Sequence, residues 1–179
     1  MTADGTYQPA GPDVALRDGG AIHIRPIRPD DGERMLALFH RFSERTVYFR
    51  FHGIPHMTAE AVHAFTQLDE HDRYAFVAAL SGDADAPLVG VVRFARMPDP
   101  TRAEMALVVE DAHHGRGVGT ALLRALAAVA LDRGITVFDA YVLGENHAML
   151  DLLARERPDS STTTDGVVTV RVPVGHFLD

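Results

Sequence analysis

The chain contains no cysteine, which excludes disulfide frameworks, thiolate zinc sites and cysteine nucleophiles together. It has no apolar run of membrane-spanning length, and its N-terminus lacks the basic-then-apolar pattern of a secretory signal. The expectation is a soluble, cytoplasmic protein with no membrane partner. Positive charge is in short supply, with 17 Lys+Arg against 25 Asp+Glu and a net charge of −8. That balance argues against nucleic acid as a main partner and mildly favours approach to basic, lysine-bearing proteins, although ordinary acidic solubility accounts for it equally well. Internal repeats are absent. What is present, 179 residues of which 46% are hydrophobic and 23% charged, suffices for one domain whose core needs no staple. Nothing in it sets the oligomeric state.

The most informative stretch runs from Glu104 to Arg133. Met105 to Val109 is apolar and rich in β-branched residues, which reads as a strand. Gly115, Gly117 and Gly119 follow in quick succession. From Val118 the apolar residues Leu122, Leu123, Leu126, Val129, Ala130 and Leu131 recur at helical spacing, and Arg133-Gly134 ends the run. A strand, a glycine loop and a helix in that order set unpaired backbone N–H groups at a positive helix end, where a diphosphate is the natural guest. The dinucleotide pattern GxGxxG fails at Leu122, and the P-loop pattern fails because no lysine follows Gly119.

The remainder reads in order. Residues 1–19, rich in Gly, Pro, Asp and Ala, are expected to be a flexible tail preceding a domain over 20–179. Ala21 to Arg25 alternates as a strand. Asp30 with Glu33 has the spacing of a helix cap and its reciprocal partner, ahead of a helix burying Met35, Leu38, Phe39 and Phe42. Ser43 caps a second helix with Val47, Tyr48 and Phe51 inward, broken by Gly53-Ile54-Pro55, and Thr58 caps a third. Tyr74–Leu80 and Leu88–Ala95 form a hairpin, Ile135–Leu143 a strand, Asn146–Leu153 a short helix and Val167–Val174 a last strand; Arg155 to Gly166 is read as turn-like. His52 and His56 are separated by Gly53 and Pro55, and the adjacent His113 and His114 should point apart, so no metal is expected.

The string His114-Gly115-Arg116-Gly117-Val118-Gly119, extended to GRGVGTALLRAL, resembles the acyl-CoA loop of the GCN5-related N-acetyltransferases. His114 stands where that family usually has Gln or Arg. The opening phrase HIRPIRPDDGERMLALFHRFSERTVYFRF is similar to one subgroup, the bacterial protein-lysine acetyltransferases. The resemblance covers roughly residues 20 to 175 and implies a mixed α/β (α+β) fold. Its central sheet would be twisted and mostly antiparallel, with six to seven strands flanked by helices and splayed at the acyl-CoA site. It further implies acetyl-CoA as cofactor and a protein presenting a lysine as partner. Cofactor contacts would come from Val108, Val109, His114, Gly115, Arg116, Gly117, Val118, Gly119, Thr120, Asn146 and Met149, with a bulge in the central strand aiming the Val109 N–H at the thioester.

Glu104 precedes the loop in an apolar segment, where a carboxylate pKa can rise, and the resembling enzymes carry their catalytic glutamate there. It is the expected base, with Glu110 and Asp111 as weaker rivals. No general acid is assigned: the family's tyrosine position, seven after Asn146, holds Leu153, and Tyr141 is read as packing. A small-amine acceptor and a non-catalytic acyl-CoA sensor remain as alternatives.

Overall fold

The computed structural model describes residues 13–52, 58–81 and 86–179. Within them lie β1 (Val14–Ala15), β2 (Ala21–Pro26), β3 (Arg73–Leu80), β4 (Leu88–Arg96), β5 (Arg102–Val109), β6 (Val137–Leu143), β7 (Ser160–Thr164) and β8 (Val167–Pro173), with α1 (Gly32–Arg41), α2 (Glu44–Phe51), α3 (Ala59–Thr66), α4 (Val118–Asp132) and α5 (His147–Ala154). The strands form one sheet in the order β1-β2-β3-β4-β5-β6-β8-β7. Every neighbouring pair is antiparallel except β5 with β6. The first twelve residues of the expected tail, the Gly53-Ile54-Pro55 break and His56 fall outside the described residues.

Two additional strands bring the sheet to eight rather than six or seven. Val14 and Ala15, read as tail, pair with Ile22 and Ala21, because Leu16 behind them is buried in the core. Ser160–Thr164, read as turn, pairs residue for residue with β8. Asp165 and Gly166 between them both take positive φ (49° and 78°), the geometry of a two-residue Asp-Gly hairpin that matches strand twist.

Each sheet face has its own core. On one face α4 buries Leu122, Leu123, Leu126, Ala127 and Ala130 against Phe76, Phe94, Met105 and Phe138. Met35, Leu38 and Phe39 of α1 and Val62 of α3 cover Ala75, Val77, Val91 and Val108 on the other. Ser43 and Thr58 cap α2 and α3 as expected, accepting from the Thr46 and Ala61 N–H groups at 3.2 Å. The cap expected for α1 is not made by Asp30 and Glu33. Asp31 takes the position and turns inward, because Arg25 is buried on β2 and needs a counter-ion; the pair is bidentate at 2.7 Å. Tyr48 is exposed rather than inward, and Thr46 is the buried residue of α2.

Helices α1 to α3 reach no further than Val108 of β5, and beyond it that face turns polar. There Asp139 of β6, fully buried, accepts from Arg102 of β5 (3.0 and 2.7 Å) and from Arg171 of β8 (3.0 Å). The carboxylate keeps the Arg102 guanidinium charged, first by hydrogen bonding and then by charge. It thereby ties three strands together at the sheet's parallel seam. Removing one partner of such a network strands the others, at a cost moderated here because both arginines reach solvent. Asp139→Asn should lower unfolding stability by about 2 kcal/mol, seen as a lower urea midpoint at unchanged slope. An unmoved midpoint would show that the seam holds without the clamp.

Candidate active site

β5 and β6 run parallel for only three register pairs, Arg102↔Val137, Ala103↔Phe138 and Glu104↔Asp139, and then part. β5 keeps its ladder with β4 all the way to Val109, without a register shift. The bulge expected in this strand lies instead one strand over, where Val89 of β4 is the extra residue between Ala78↔Gly90 and Ala79↔Leu88. The splay therefore comes from pairing that stops, not from a bulge.

Hydrogen-bond alternation then decides which groups are left over. The Met97 N–H donates to Arg102 O (2.9 Å) and the Glu110 N–H to Val89 O (2.8 Å), so the even-numbered residues of β5 bond β4. The odd-numbered ones face β6, and beyond the vertex β6 is gone. The N–H groups of Leu107 and Val109 consequently point into open space.

That space is a cleft of about 620 Å³, lined by residues 104–109 of β5, 140–142 of β6, the first turn of α4, Asn146, Met149 and Leu152 around α5, 49–52 at the end of α2, and Arg17. This is an ordinary size for a small-molecule site. The N-terminus of α4 opens into it with Gly117 as N-cap, and no side chain caps it. Gly115 and Gly117 have φ of 72° and 98°, a region costly for residues with a Cβ. At Gly119 a Cβ would stand 3.2 Å from Leu107 and 3.4 Å from Leu152, so glycine lets the helix end close on β5. Uncapped N–H groups, a glycine turn and a row of stranded N–H groups suit an extended ligand with a diphosphate at one end.

Most of the expected residues meet here: Glu104, Val108, Val109, His114, Gly115, Gly117, Val118, Gly119, Thr120, Asn146 and Met149 all line the cleft. His114 Nε2 donates to Val109 O at 2.7 Å, since a carbonyl can only accept, and this folds the loop back onto β5. Asn146 accepts from the Met149 N–H (3.2 Å) and so caps α5 while facing the cleft. Arg116 is the exception. Its guanidinium turns away to Asp18 (2.6 Å) and to His113 Nδ1, and Asp18 is held below the usual carboxylate range chiefly by that hydrogen bond. Arg17 lies at the glycine loop in its place. Its N–H donates to Arg116 O (3.2 Å) and its side chain lies over Gly117, where its guanidinium makes no hydrogen bond to the described residues.

Glu110 and Asp111 are committed elsewhere. Arg41 holds Glu110 with two bonds (2.9 and 3.1 Å). Burial of Asp111 opposes its ionisation, yet hydrogen bonds from Ser43 and Thr46 outweigh it and keep the carboxyl low. Glu104 alone of the three is exposed in the cleft and forms no hydrogen bond to the described residues. Tyr141, read as packing, is 41% exposed and lines the cleft, whereas Leu153 is fully buried.

The acetyltransferase (GNAT) family model matches residues 37–157. The chain is 34% identical over 143 residues to acetyltransferase Pat of Mycolicibacterium smegmatis, covering 79% of this chain and 42% of that protein; it thus spans under half of that relative's length. To acetyltransferase PA5475 of Pseudomonas aeruginosa it is 31% identical over 155 residues, 83% of each. The GNAT domain of S. lividans PAT superposes with a TM-score of 0.83 at 34% identity, covering 96% of this chain and 99% of that one.

Arg17 and Arg116 can be separated experimentally by titrating CoA in a calorimeter. Arg17→Ala should weaken binding by about tenfold, the worth of a charge-assisted contact to phosphate, and Arg116→Ala by much less. Equal losses would show that Arg17 has no special place at the helix end.

Proposed function

This chain belongs to the acetyltransferase (GNAT) family, and on that premise we propose that it acetylates the side-chain amine of protein lysines, with Glu104 as base. Acetyl-CoA, the donor this family uses, supplies the acetyl group as a thioester. The observation that carries the reading is the position of Glu104: it stands at the vertex where β5 and β6 part, open to the cleft and free of hydrogen bonds to the described residues.

The chain's own groups divide the work. The α4 N-terminus and Arg17 hold the phosphates, and the Leu107 N–H lines the path of the arm between phosphate and thioester. The Val109 N–H, spared by the ladder, donates to charge developing on the acyl oxygen, which needs only an aimed donor. A lysine amine of pKa about 10.4 is almost wholly protonated at neutral pH. Glu104 Oε takes that proton directly or through one water. The protein acceptor is supported by the likeness of the N-terminal phrase to bacterial protein-lysine acetyltransferases and by a cleft whose polar half no helix covers.

Glu104→Gln should lower kcat/KM for a lysine acceptor about a hundredfold at pH 7.5. The deficit should shrink as pH rises toward the amine's own pKa, because the acceptor then arrives deprotonated. An undiminished rate at pH 7.5 would remove Glu104 from the role.

A further inference from the structure

Two guanidinium groups stand beside Glu104 and the reaction does not account for them. Arg50, at the end of α2, lines the cleft and lies over the Phe51 ring at 4.9 Å. Arg93, on β4, lies over the Phe65 ring at 5.1 Å. The two rings touch, with centroids 6.3 Å apart, so both cations rest on one aromatic shelf. Arg93 is the register partner of Ala106, and Glu104 is two residues from Ala106 on the same side of β5. All three charges therefore gather on the same face of the sheet, where Glu104 is the one carboxylate acting on both arginines.

Neither arginine makes a hydrogen bond or an ion pair within the described residues, and Glu104 is not bonded to either. The other arginines nearby are satisfied: Arg73 by Asp69 (2.9 Å), Arg102 by Asp139. Arg50 and Arg93 are half-buried, and each feels the strain of that. Burial first, and then the Arg93 charge, push Arg50 down to about 10, while Glu104 acts the other way. Arg93 is lowered by burial and by Arg73. Two half-buried cations with one carboxylate leave this corner short of negative charge, an arrangement that costs stability and invites an anion. A guanidinium lying flat on a ring keeps its N–H edge free, and that edge matches a carboxylate bidentately.

We propose that Arg50 and Arg93 form an acceptor subsite for a carboxylate carried next to the reacting amine. This deepens the acetyltransferase reading and rests on it. The carboxylate has two possible sources, the acceptor's own α-carboxylate or an acidic residue flanking a lysine in a peptide. With its amine directed at Glu104, such an acceptor would lay its carboxylate on the arginine shelf.

The test pairs acceptors that differ only in this group: lysine against cadaverine, and a Glu-Lys-Glu peptide against Gln-Lys-Gln. Wild type should prefer the carboxylate member of at least one pair by about tenfold or more in kcat/KM. The pair that responds names the source. Arg50→Met with Arg93→Met, which keeps the apolar stem on the rings, should erase the preference through the acceptor's KM. No preference in either pair, or a preference that survives in the double variant, overturns the subsite. Binding read without turnover separates this from failure of the reaction itself. In calorimetry with CoA present, the acetylated products of both pairs are compared, Nε-acetyl-lysine against N-acetylcadaverine and the two acetyl-lysine peptides against each other. At least one pair should differ about tenfold for wild type and not for the double variant. Equal binding within both pairs by wild type overturns the proposal whether or not turnover is seen.

Discussion

The parting of β5 from β6 is the constraint on which the rest of this molecule depends. Three register pairs hold the strands together, and the buried Asp139 clamps them to β8 at the point where they separate. Beyond it a central strand keeps one ladder and loses the other. Inside a closed core, orphaned N–H groups on Leu107 and Val109 would each cost the desolvation of a hydrogen-bonding group. In an open cleft water satisfies them until a ligand does. The same opening admits α4, whose first turn packs closely on β5 at Gly119, where a Cβ would crowd Leu107 and Leu152. Two independent rows of unpaired donors, one from a helix end and one from a strand edge, thus converge on one path.

The other asymmetry is in how the sheet is covered. α4 packs against the strands on its face of the sheet, while α1 to α3 reach no further than Val108 of β5 on the opposite face. Under the helices the residues are mostly Ala, Val and Leu, with Arg25 and Arg93 as the charged exceptions. Beyond them come Glu104, Asp139, Tyr141 and Arg171, polar side chains alternating with the apolar ones that face α4. In the proposed reaction the donor comes from the loop at the start of α4 and the acceptor from the polar part of the opposite face, with Glu104 where the two meet.

Residues whose neighbours are close in sequence were legible before the fold was. The strand, glycine loop and helix from Met105 to Gly134, and the caps at Ser43 and Thr58, follow from local pattern because their partners lie within a few positions. The place of Glu104 near the start of β5 follows from local pattern, whereas its reading as base rests on the resemblance to the N-acetyltransferases. The pairing of the Arg116 guanidinium with Asp18 was not legible, because that carboxylate is 98 residues away and proximity in sequence to a phosphate loop says nothing about it. Arg17 carried no signal at all, as an isolated arginine in a Gly- and Asp-rich segment has no periodicity to place it. β7 was hidden by its polar composition, although Asp165-Gly166 ahead of an alternating strand was a hairpin signal available in the sequence.

Arg17 and Arg50 in the cleft and Arg93 on the neighbouring strand all carry their charge on a guanidinium group. The chain has no lysine; all 17 of its Lys+Arg residues are arginine. An ammonium at position 17, 50 or 93 would be an amine tethered within reach of an acyl donor, at an effective concentration no free acceptor can match. Near Glu104 it would also be deprotonated by the group meant for the substrate. Burial would aid that loss, because a desolvated lysine readily falls toward neutrality, whereas a guanidinium stays charged through the physiological range. Arginine therefore supplies the charge that binding phosphate and carboxylate requires while remaining inert to the chemistry beside it. Any acetyl group found on a side-chain amine after reaction of this 179-residue chain is then on another molecule, since its sequence holds no lysine.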